Sequence, residues 1–189
     1  MQFRTSRRSL QNPAAHGTDD APGFAAEPAA ALAAARRRAV RDGDRQIDTA
    51  HLLHSLLEQD PQVRAAFDGG PQLARLLGYL VQRSIGYGLR WQSGVEDSGD
   101  LPVGTVVEGL SPLAAAALEH ARVRAARRDG APARGLDVLA AIVADPQARA
   151  VEVLTRAGVD VYGLRARIED GPHGPGECEA LVRGDEPAL

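Results

Sequence analysis

The residue types best suited to chemistry occur together in the segment QIDTAHLLHSLLEQDP. His51 and His54 stand three positions apart, and Glu58 follows four positions later. On an α-helix this spacing places the three side chains on one face, and two imidazoles with a carboxylate are ligands that zinc accepts. The alternative is structural, with His51 bonding backbone groups of the preceding turn and His54 on the surface. We favour the structural interpretation, because a second copy of this segment has Asp137 and Ala140 at the histidine positions.

The rest of the sequence offers no pattern for catalysis. It contains neither a nucleophile elbow nor a spaced Ser-His-Asp arrangement. The 22 basic residues are all arginine, and without lysine the chain has neither a Walker A phosphate loop nor a Schiff-base amine. The single cysteine, Cys178, excludes an internal disulfide and a multi-cysteine metal site. We therefore predict that the protein is not an enzyme and uses no cofactor or metal, and we keep a hydrolase only as a third hypothesis.

The composition predicts an all-α protein. Apolar residues make up 44% of the 189 residues, but aromatic residues supply only 4%, and alanine and leucine dominate. Such a chain favours helices that pack closely through small side chains. No stretch reaches the ~18 uninterrupted apolar residues of a membrane span. The N-terminal segment lacks the hydrophobic core of a secretory signal, so a cytoplasmic location is expected.

Composition also divides the chain into a body and two tails. Residues 1–23 are polar and rich in Gly, Pro and Arg, and residues 170–189 form an acidic segment, so we expect a disordered first tail and a flexible second one. The body, residues 24–169, carries as many acidic as basic residues. A general nucleic-acid-binding surface needs a basic surplus, and binding to nucleic acid is therefore not expected.

The body contains an internal repeat. The segment PAAALAAARRRAVRDGDRQIDTAHLLHSLLEQDPQVRAAF returns as SPLAAAALEHARVRAARRDGAPARGLDVLAAIVADPQARAVEVL, and after a slip of one residue the two Asp-Pro-Gln sequences also align. A match of this length predicts two copies of one helical unit. At an offset of 86 residues, identical residues coincide at several positions: Arg36 with Arg122, Arg38 with Arg124, Ala39 with Ala125, Arg41 with Arg127, and Leu53 with Leu139.

Each unit reads as four helices, placed by proline, glycine and capping residues. In the first repeat, residues 24–85, helices are predicted at 27–42, from Asp48 or Thr49 to 59, from Pro61 to about 69, and from Pro71 onward. In the second repeat, residues 111–169, they are predicted at 112–128, 136–144, 146–157 and 160–169. The linker, residues 86–110, is Gly-rich and long enough to be a mobile loop. We interpret its Trp91 as a loop anchor, with a stacking platform as the alternative.

The order and spacing of these parts resemble the N-terminal (R) domain of Clp-type AAA+ unfoldases such as ClpC and ClpA. The segment IDTAHLLHSLL stands where that family has Ile-Gly-Thr-Glu-His and an aliphatic run. LSPLAAAAL resembles the start of the family's second repeat, and EVLTRAGVDVYGLRARI resembles its end. The resemblance covers roughly residues 24–169 and implies eight helices in two tandem four-helix repeats with pseudo-twofold symmetry. Since the 189 residues contain no AAA+ module, we expect a free-standing protein of the N-domain type.

The resemblance also implies a set of binding residues. In the family, the Glu of each Thr-Glu-His helps to bind phosphoarginine, and a guanidinium requires such a carboxylate partner. Ala50 and Leu136 occupy these positions here, so phosphoarginine binding is not expected to be retained. The aromatic positions that open the family's repeats correspond to Phe24 and Leu110. The implied peptide-binding candidates are Phe24, Thr49, Ala50, Leu110, Ser111 and Leu136.

The function implied by the resemblance is the binding of other molecules without catalysis. Domains of this family bind substrates, adaptors and cyclic-peptide antibiotics of Clp proteases. A copy without the ATPase would act as an adaptor for a Clp ATPase, or as a decoy that sequesters an adaptor, a peptide or a cyclic-peptide ligand. No membrane partner is expected.

A second hypothesis, of a different class, rests on arginines near the ends of the two long helices. Basic residues at such positions complement the helix dipole and are usually solvated. They would alternatively form paired anion-binding patches for an acidic partner or nucleic acid, whose binding would weaken steeply with salt. The candidates are Arg36, Arg38, Arg41, Arg122, Arg124 and Arg127.

Overall fold

The computed structural model describes residues 22–84, Glu96 and residues 109–170. These ranges contain eight α-helices and no strand, so the all-α prediction is confirmed for this part of the chain. The helices are α1 (Ala26–Asp42), α2 (Thr49–Gln59), α3 (Pro61–Ala65), α4 (Gly69–Ser84), α5 (Pro112–Arg128), α6 (Gly135–Ala144), α7 (Arg149–Arg156) and α8 (Val161–Asp170). Below, the first half means residues 22–84 and the second half means residues 109–170.

Local capping chemistry sets most helix ends where the sequence predicts them. α1 ends at Gly43, which adopts the left-handed conformation with φ of 74°, a conformation that favours glycine. Asp48 caps α2 by accepting the backbone N–H of His51 at 2.9 Å. Ser111 caps α5 by accepting the N–H of Ala114 at 3.1 Å. Each cap satisfies a backbone donor that the first turn of a helix leaves without a partner.

α3 ends at Ala65, before the predicted end near residue 69, and two helices begin two or more residues away from their predicted starts. α4 begins at Gly69, two residues before Pro71. α7 begins at Arg149 and not at Pro146, because Asp145 accepts the N–H of Gln147 at 2.8 Å and that of Ala148 through its backbone carbonyl at 3.1 Å. These bonds hold residues 145–148 as a turn, since an Asp side chain that bonds the backbone two residues on competes with helix formation.

The core lies around α2 and α6. α1 packs on α2, and α5 packs on α6. Alanines line the packed faces of the two long helices and are buried there, which allows the helix axes to approach closely. In α2 every residue from Thr49 to Leu57 is buried, as is typical of a helix enclosed on all sides. Burial of each leucine stabilises the fold by about 1.5–3 kcal/mol.

Two short backbone bridges join the halves. Phe24 pairs with Ala133, and Ile47 pairs with Leu110, both in parallel orientation. The segment before α1 therefore contacts the segment before α6, while the segment before α5 contacts the segment before α2. Leu110 follows Phe24 by 86 residues, and Ala133 follows Ile47 by the same number.

Several sequence predictions fall outside the described residues. These include residues 1–21 of the first tail, residues 171–189 of the second tail with Cys178, and Trp91 in the linker. Among the helices that the structure describes, none combines the length and the apolar character needed to cross a membrane.

Candidate functional site

A buried carboxylate lies where the two halves meet. Glu96 comes from the segment between the halves, and only 4% of its surface is exposed. Its Oε2 accepts the N–H of Thr49 at 2.9 Å and the hydroxyl of Ser111 at 2.7 Å. Its Oε1 accepts the N–H of Arg149 at 2.7 Å and the hydroxyl of Thr49. Each carboxylate oxygen therefore has two donors.

The donors to Glu96 stand at the starts of three helices. Thr49 is the first residue of α2, Arg149 is the first residue of α7, and Ser111 is the N-cap of α5. Backbone N–H groups in a first helical turn have no partner inside the helix, and the helix dipole places partial positive charge there. The convergence of three such ends therefore forms a site for a negatively charged group.

A second carboxylate holds the same region together. Asp48 is buried, and its Oδ2 pairs with Nη1 of Arg149 at 3.0 Å. The Thr49 hydroxyl, which donates to Glu96, also accepts the N–H of Ala150 at 3.1 Å. α7 of the second half is thus bonded to the start of α2 through backbone and side-chain groups, which fixes the positions of the donors around Glu96.

A surface groove with a volume of about 500 Å³ borders this site. Thr49 lines the groove and also donates to Glu96. The other lining residues belong to α5, to the end of α6 and to the turn before α7. They are Leu113, Ala116, Ala117, His120, Ala141, Ile142, Ala144, Asp145, Pro146, Gln147 and Ala148.

The structure brings together two of the six predicted peptide-binding residues. Thr49 and Ser111 meet at Glu96. Ala50 and Leu110 are buried in the core, because α2 is enclosed on all sides and Leu110 is held by its bridge to the first half. Thr49 and Ser111 are buried as well, with their polar groups bonded to Glu96. The remaining two candidates are half-buried and lie apart from this group: Phe24 and Leu136.

Phe24 has a separate partner. The guanidinium of Arg122 lies over its ring, 4.6 Å from the ring centroid, and Nε of the same arginine donates to the carbonyl of Pro22 at 3.3 Å. A cation over an aromatic face is attracted by the ring quadrupole. These contacts fix the start of the first half against α5.

The prediction that His54 lies on the surface is wrong. Only 3% of His54 is exposed, because α1 covers this side of α2 and brings Arg38 close to it. The pKa of His54 is lowered to about 4, mainly because burial disfavours the charged imidazole and further because Arg38 lies nearby. Its Nε2 lies 3.4 Å from a carboxylate oxygen of Glu58.

His51 has the structural role that the sequence suggests. Its Nδ1 accepts the backbone N–H of Asp48 at 3.2 Å. The proton therefore belongs on Nε2, which lies 3.0 Å from Oδ2 of Asp44. Within residues 22–84, Glu96 and residues 109–170, no group of three or more His, Cys, Asp or Glu side chains is placed to hold a metal ion.

Carboxylates of the chain itself face most of the predicted anion-binding arginines. Each of these carboxylates neutralises part of the positive charge that would attract an external anion. Arg36 and Arg127 are exposed on α1 and α5. The ion pairs of the other four join Arg38 to Glu58 at 2.7 Å, Arg41 to Asp42 at 3.3 Å, Arg122 to Glu119 at 3.1 Å, and Arg124 to Asp137 at 3.3 Å.

Sequence reasoning missed Glu96 and Arg149. Glu96 lies in a linker beside other acidic residues, in the stretch GVEDSGD, and no local pattern distinguishes it. The sequence offers one indirect signal for Glu96. Thr49 opens α2 and Ser111 caps α5, and the N–H groups in the first turn of a helix need an acceptor. The identity of that acceptor is set by contacts between distant segments.

Comparison of the chain with models of protein families finds no match, and no curated protein matches it. The relation to the Clp N domain therefore rests on the sequence motifs and remains a prediction.

Proposed function

We propose that this protein is a non-enzymatic peptide-binding module of the Clp N-domain type, acting as an adaptor or decoy in Clp-dependent proteolysis. Its ligands would be substrates, adaptors or cyclic peptides that a Clp ATPase also binds. The fold would then be one four-helix unit present twice, with the two copies related by a pseudo-twofold axis.

The positions of the helices support the duplication. α5 begins and ends 86 residues after α1, and α6 begins 86 residues after α2. The bridge from Phe24 to Ala133 and the bridge from Ile47 to Leu110 exchange equivalent segments between the halves. An exchange of this kind is expected where two copies of one unit pack around a twofold axis.

The observation that carries the proposal is the meeting of Thr49 and Ser111 beside a groove. Each is a binding candidate from a different repeat, and both bond the carboxylate of Glu96. The adjoining groove of about 500 Å³ lies within the ~300–1,000 Å³ typical of ligand pockets. Its lining combines polar residues with apolar ones.

The small side chains of the groove suit a peptide. Ala116 and Ala117 of α5 and Ala141 and Ala144 of α6 line it. Small alanine side chains leave room for the side chains of an extended peptide, and Asp145 and Gln147 add polar groups to the lining. Thr49 lines the same groove and would contact a bound peptide.

The test uses a tryptophan that fills the groove. Ala116→Trp should weaken binding of the purified host Clp ATPase, its adaptors or a Clp-directed cyclic peptide at least about tenfold, since the indole would occupy the ligand's volume. Ala126→Trp is the matched control, because Ala126 is exposed on the same helix and lies outside the groove. Binding is measured by fluorescence anisotropy or calorimetry, with circular dichroism to verify folding.

Loss of binding in Ala116→Trp together with retention in Ala126→Trp would support the proposal. If the unaltered protein binds none of these ligands more tightly than an unrelated helical domain does, the proposal is wrong.

A further inference from the structure

The start of α6 has a carboxylate at the position where α2 has Glu96. Gly135 opens α6, and a Cβ atom added to it would lie 2.9 Å from Cγ2 of Val63 and closer still to Oδ2 of Asp60. The buried Asp60 is also the N-cap of α3, where it accepts the N–H of Gln62 at 2.8 Å. The carboxylate of Asp60, which caps α3, therefore lies directly beside the first residue of α6.

At the start of α2 the bonded carboxylate comes from a different part of the chain. Thr49 stands 86 residues before Gly135, and the counterpart of Asp60 is Asp145, from the second Asp-Pro-Gln sequence. Asp145 directs Oδ1 to the N–H of Gln147 at 2.8 Å and lines the groove. The carboxylate that bonds Thr49 comes instead from Glu96, 47 residues away in the sequence.

The geometry around Glu96 is that of a complete carboxylate receptor. Two backbone N–H groups and two hydroxyls bond its two oxygens, and the N–H groups of Thr49 and Arg149 and the hydroxyl of Ser111 do so at 2.7 to 2.9 Å. Hydrogen bonds to an ionised acceptor are short and stronger than neutral ones. Both halves of the protein contribute donors, so the receptor depends on their packing and not on a single helix end.

We propose that this receptor binds a carboxylate of a peptide held in the adjoining groove, and that Glu96 is an internal ligand that competes for it. The proposal rests on the peptide-binding function and names the chemical class of its anchor. Thr49 carries the connection, because it lines the groove and donates two hydrogen bonds to Glu96. A peptide side chain of Asp or Glu and a C-terminal carboxylate share this chemistry.

An internal competitor lowers the apparent affinity for an external ligand, because only molecules in which the receptor is vacant can bind that ligand. Removing it should therefore strengthen the binding of carboxylates. We expect Glu96→Ala to bind small carboxylates at least about tenfold more tightly than the unaltered protein. The amide N–H groups of Thr49 and Arg149 report on the site directly, because both donate to the carboxylate.

The first experiment titrates acetate into Glu96→Ala, with chloride at the same ionic strength as a reference. Saturable shifts of the Thr49 and Arg149 amide signals in NMR spectra, and a rise in Tm, are expected because the ligand binds only the folded state. Glu58→Ala is the matched control, since it removes an exposed carboxylate from α2 away from the receptor. Neither effect should occur with that variant.

Short peptides then distinguish the two sources of the carboxylate. Ac-Ala-Ala-Glu-NH₂ is compared with Ac-Ala-Ala-Gln-NH₂, and Ac-Ala-Ala-Ala-OH is compared with its C-terminal amide. Tighter binding of the first member of either pair supports the proposal and identifies the source. If Glu96→Ala is poorly folded, Glu96→Gln keeps the side-chain shape and one acceptor oxygen, and the same titrations apply.

Absence of saturable shifts at Thr49 and Arg149 with every carboxylate, in both variants, would overturn the proposal. Clp-ligand binding that Ala116→Trp blocks but Glu96→Ala leaves unchanged would also overturn it, while leaving the peptide-binding function in place. Binding of acetate without any binding of peptides would support the carboxylate receptor but contradict the peptide-binding function.

Discussion

Asp137 takes at the start of α6 the position that His51 takes at the start of α2. Each is the third residue of its helix and is buried. Nδ1 of His51 accepts the N–H of Asp48 at 3.2 Å, and Oδ2 of Asp137 accepts the N–H of Arg134 at 2.8 Å. An imidazole and a carboxylate thus satisfy the same backbone donor. The carboxylate, however, carries a charge into the interior, and a buried charge requires a partner.

The first prediction concerns the partner of Asp137. Nη1 of Arg128 lies 2.5 Å from its Oδ1, and this hydrogen bond raises the pKa of Arg128. Asp137→Asn keeps an acceptor for the cap but removes the charge, so the arginines beside it lose their counterion. We expect the free energy of unfolding to fall by about 2–3 kcal/mol, measured by urea denaturation.

Asp129→Asn is the control for this prediction. Asp129 also pairs with Arg128, at 3.1 Å, but it is exposed, and exposed pairs contribute little. It should change stability less than Asp137→Asn does. Equal losses in the two variants would contradict the importance of burial at Asp137.

The second prediction is a pH dependence that arises from His54. Its pKa is about 4 in the folded protein, against 6.5 for a free imidazole. Between these values the unfolded chain binds more protons than the folded one, so stability falls as the pH falls from about 6.5 to about 4. The full effect is at most about 3.5 kcal/mol, since the two pKa values differ by about 2.5 units and each unit corresponds to about 1.4 kcal/mol.

His54→Gln tests this assignment because glutamine does not titrate. The groups that surround the imidazole are Arg38 and Arg41 on α1, Asp42 at its end, and Glu58 on α2, and all of them remain in the variant. Urea unfolding at several pH values between 4.5 and 7.5 should show a shallower decline for His54→Gln. Parallel curves for the two proteins would show that other groups cause the acid sensitivity.

The helices are predictable from the sequence because their ends are set by neighbours in the chain. The 112–128 prediction coincides with α5, where Ser111 supplies the cap and Pro112 fits the first turn. Gly43 likewise ends α1. The start of α7 is not predictable in this way, because Asp145 can cap a helix or form a turn, and its local sequence matches that of Asp60, which does cap one.

The site is only half predictable for a related reason. Thr49 and Ser111 belong to repeated motifs and are therefore visible in the sequence. Glu96 and Arg149 reach the site from distant segments, and the hydrogen bond between them joins residues 53 positions apart. The burial of His54 is likewise not predictable from the sequence. A polar residue in a helix suggests a side chain exposed to solvent, and only the packing of α1 on α2 shows that this one is buried.

The third prediction concerns the hydroxyl of Thr49. This hydroxyl donates to Glu96 and accepts the N–H of Ala150. Thr49→Val keeps the shape of the side chain but leaves two buried polar groups with fewer partners, which should lower stability by about 2 kcal/mol. Thr49→Ser retains the hydroxyl and should lose less. Thermal unfolding measures both, and a valine variant as stable as the serine variant would argue against these bonds.

The fourth prediction contrasts two helical glycines that differ in the space available for a side chain. A Cβ on Gly135 would collide with Asp60 and Val63, whereas a Cβ on Gly78, exposed in α4, would meet nothing within 4 Å. Gly135→Ala must displace the Asp60 carboxylate and should cost about 1–3 kcal/mol, as overpacking does. Gly78→Ala should stabilise the protein by about 0.5–1 kcal/mol, because alanine favours a helix interior. Chemical denaturation of the two variants measures both changes in stability. A stabilising Gly135→Ala would show that the Asp60 carboxylate does not occupy the space beside the first residue of α6.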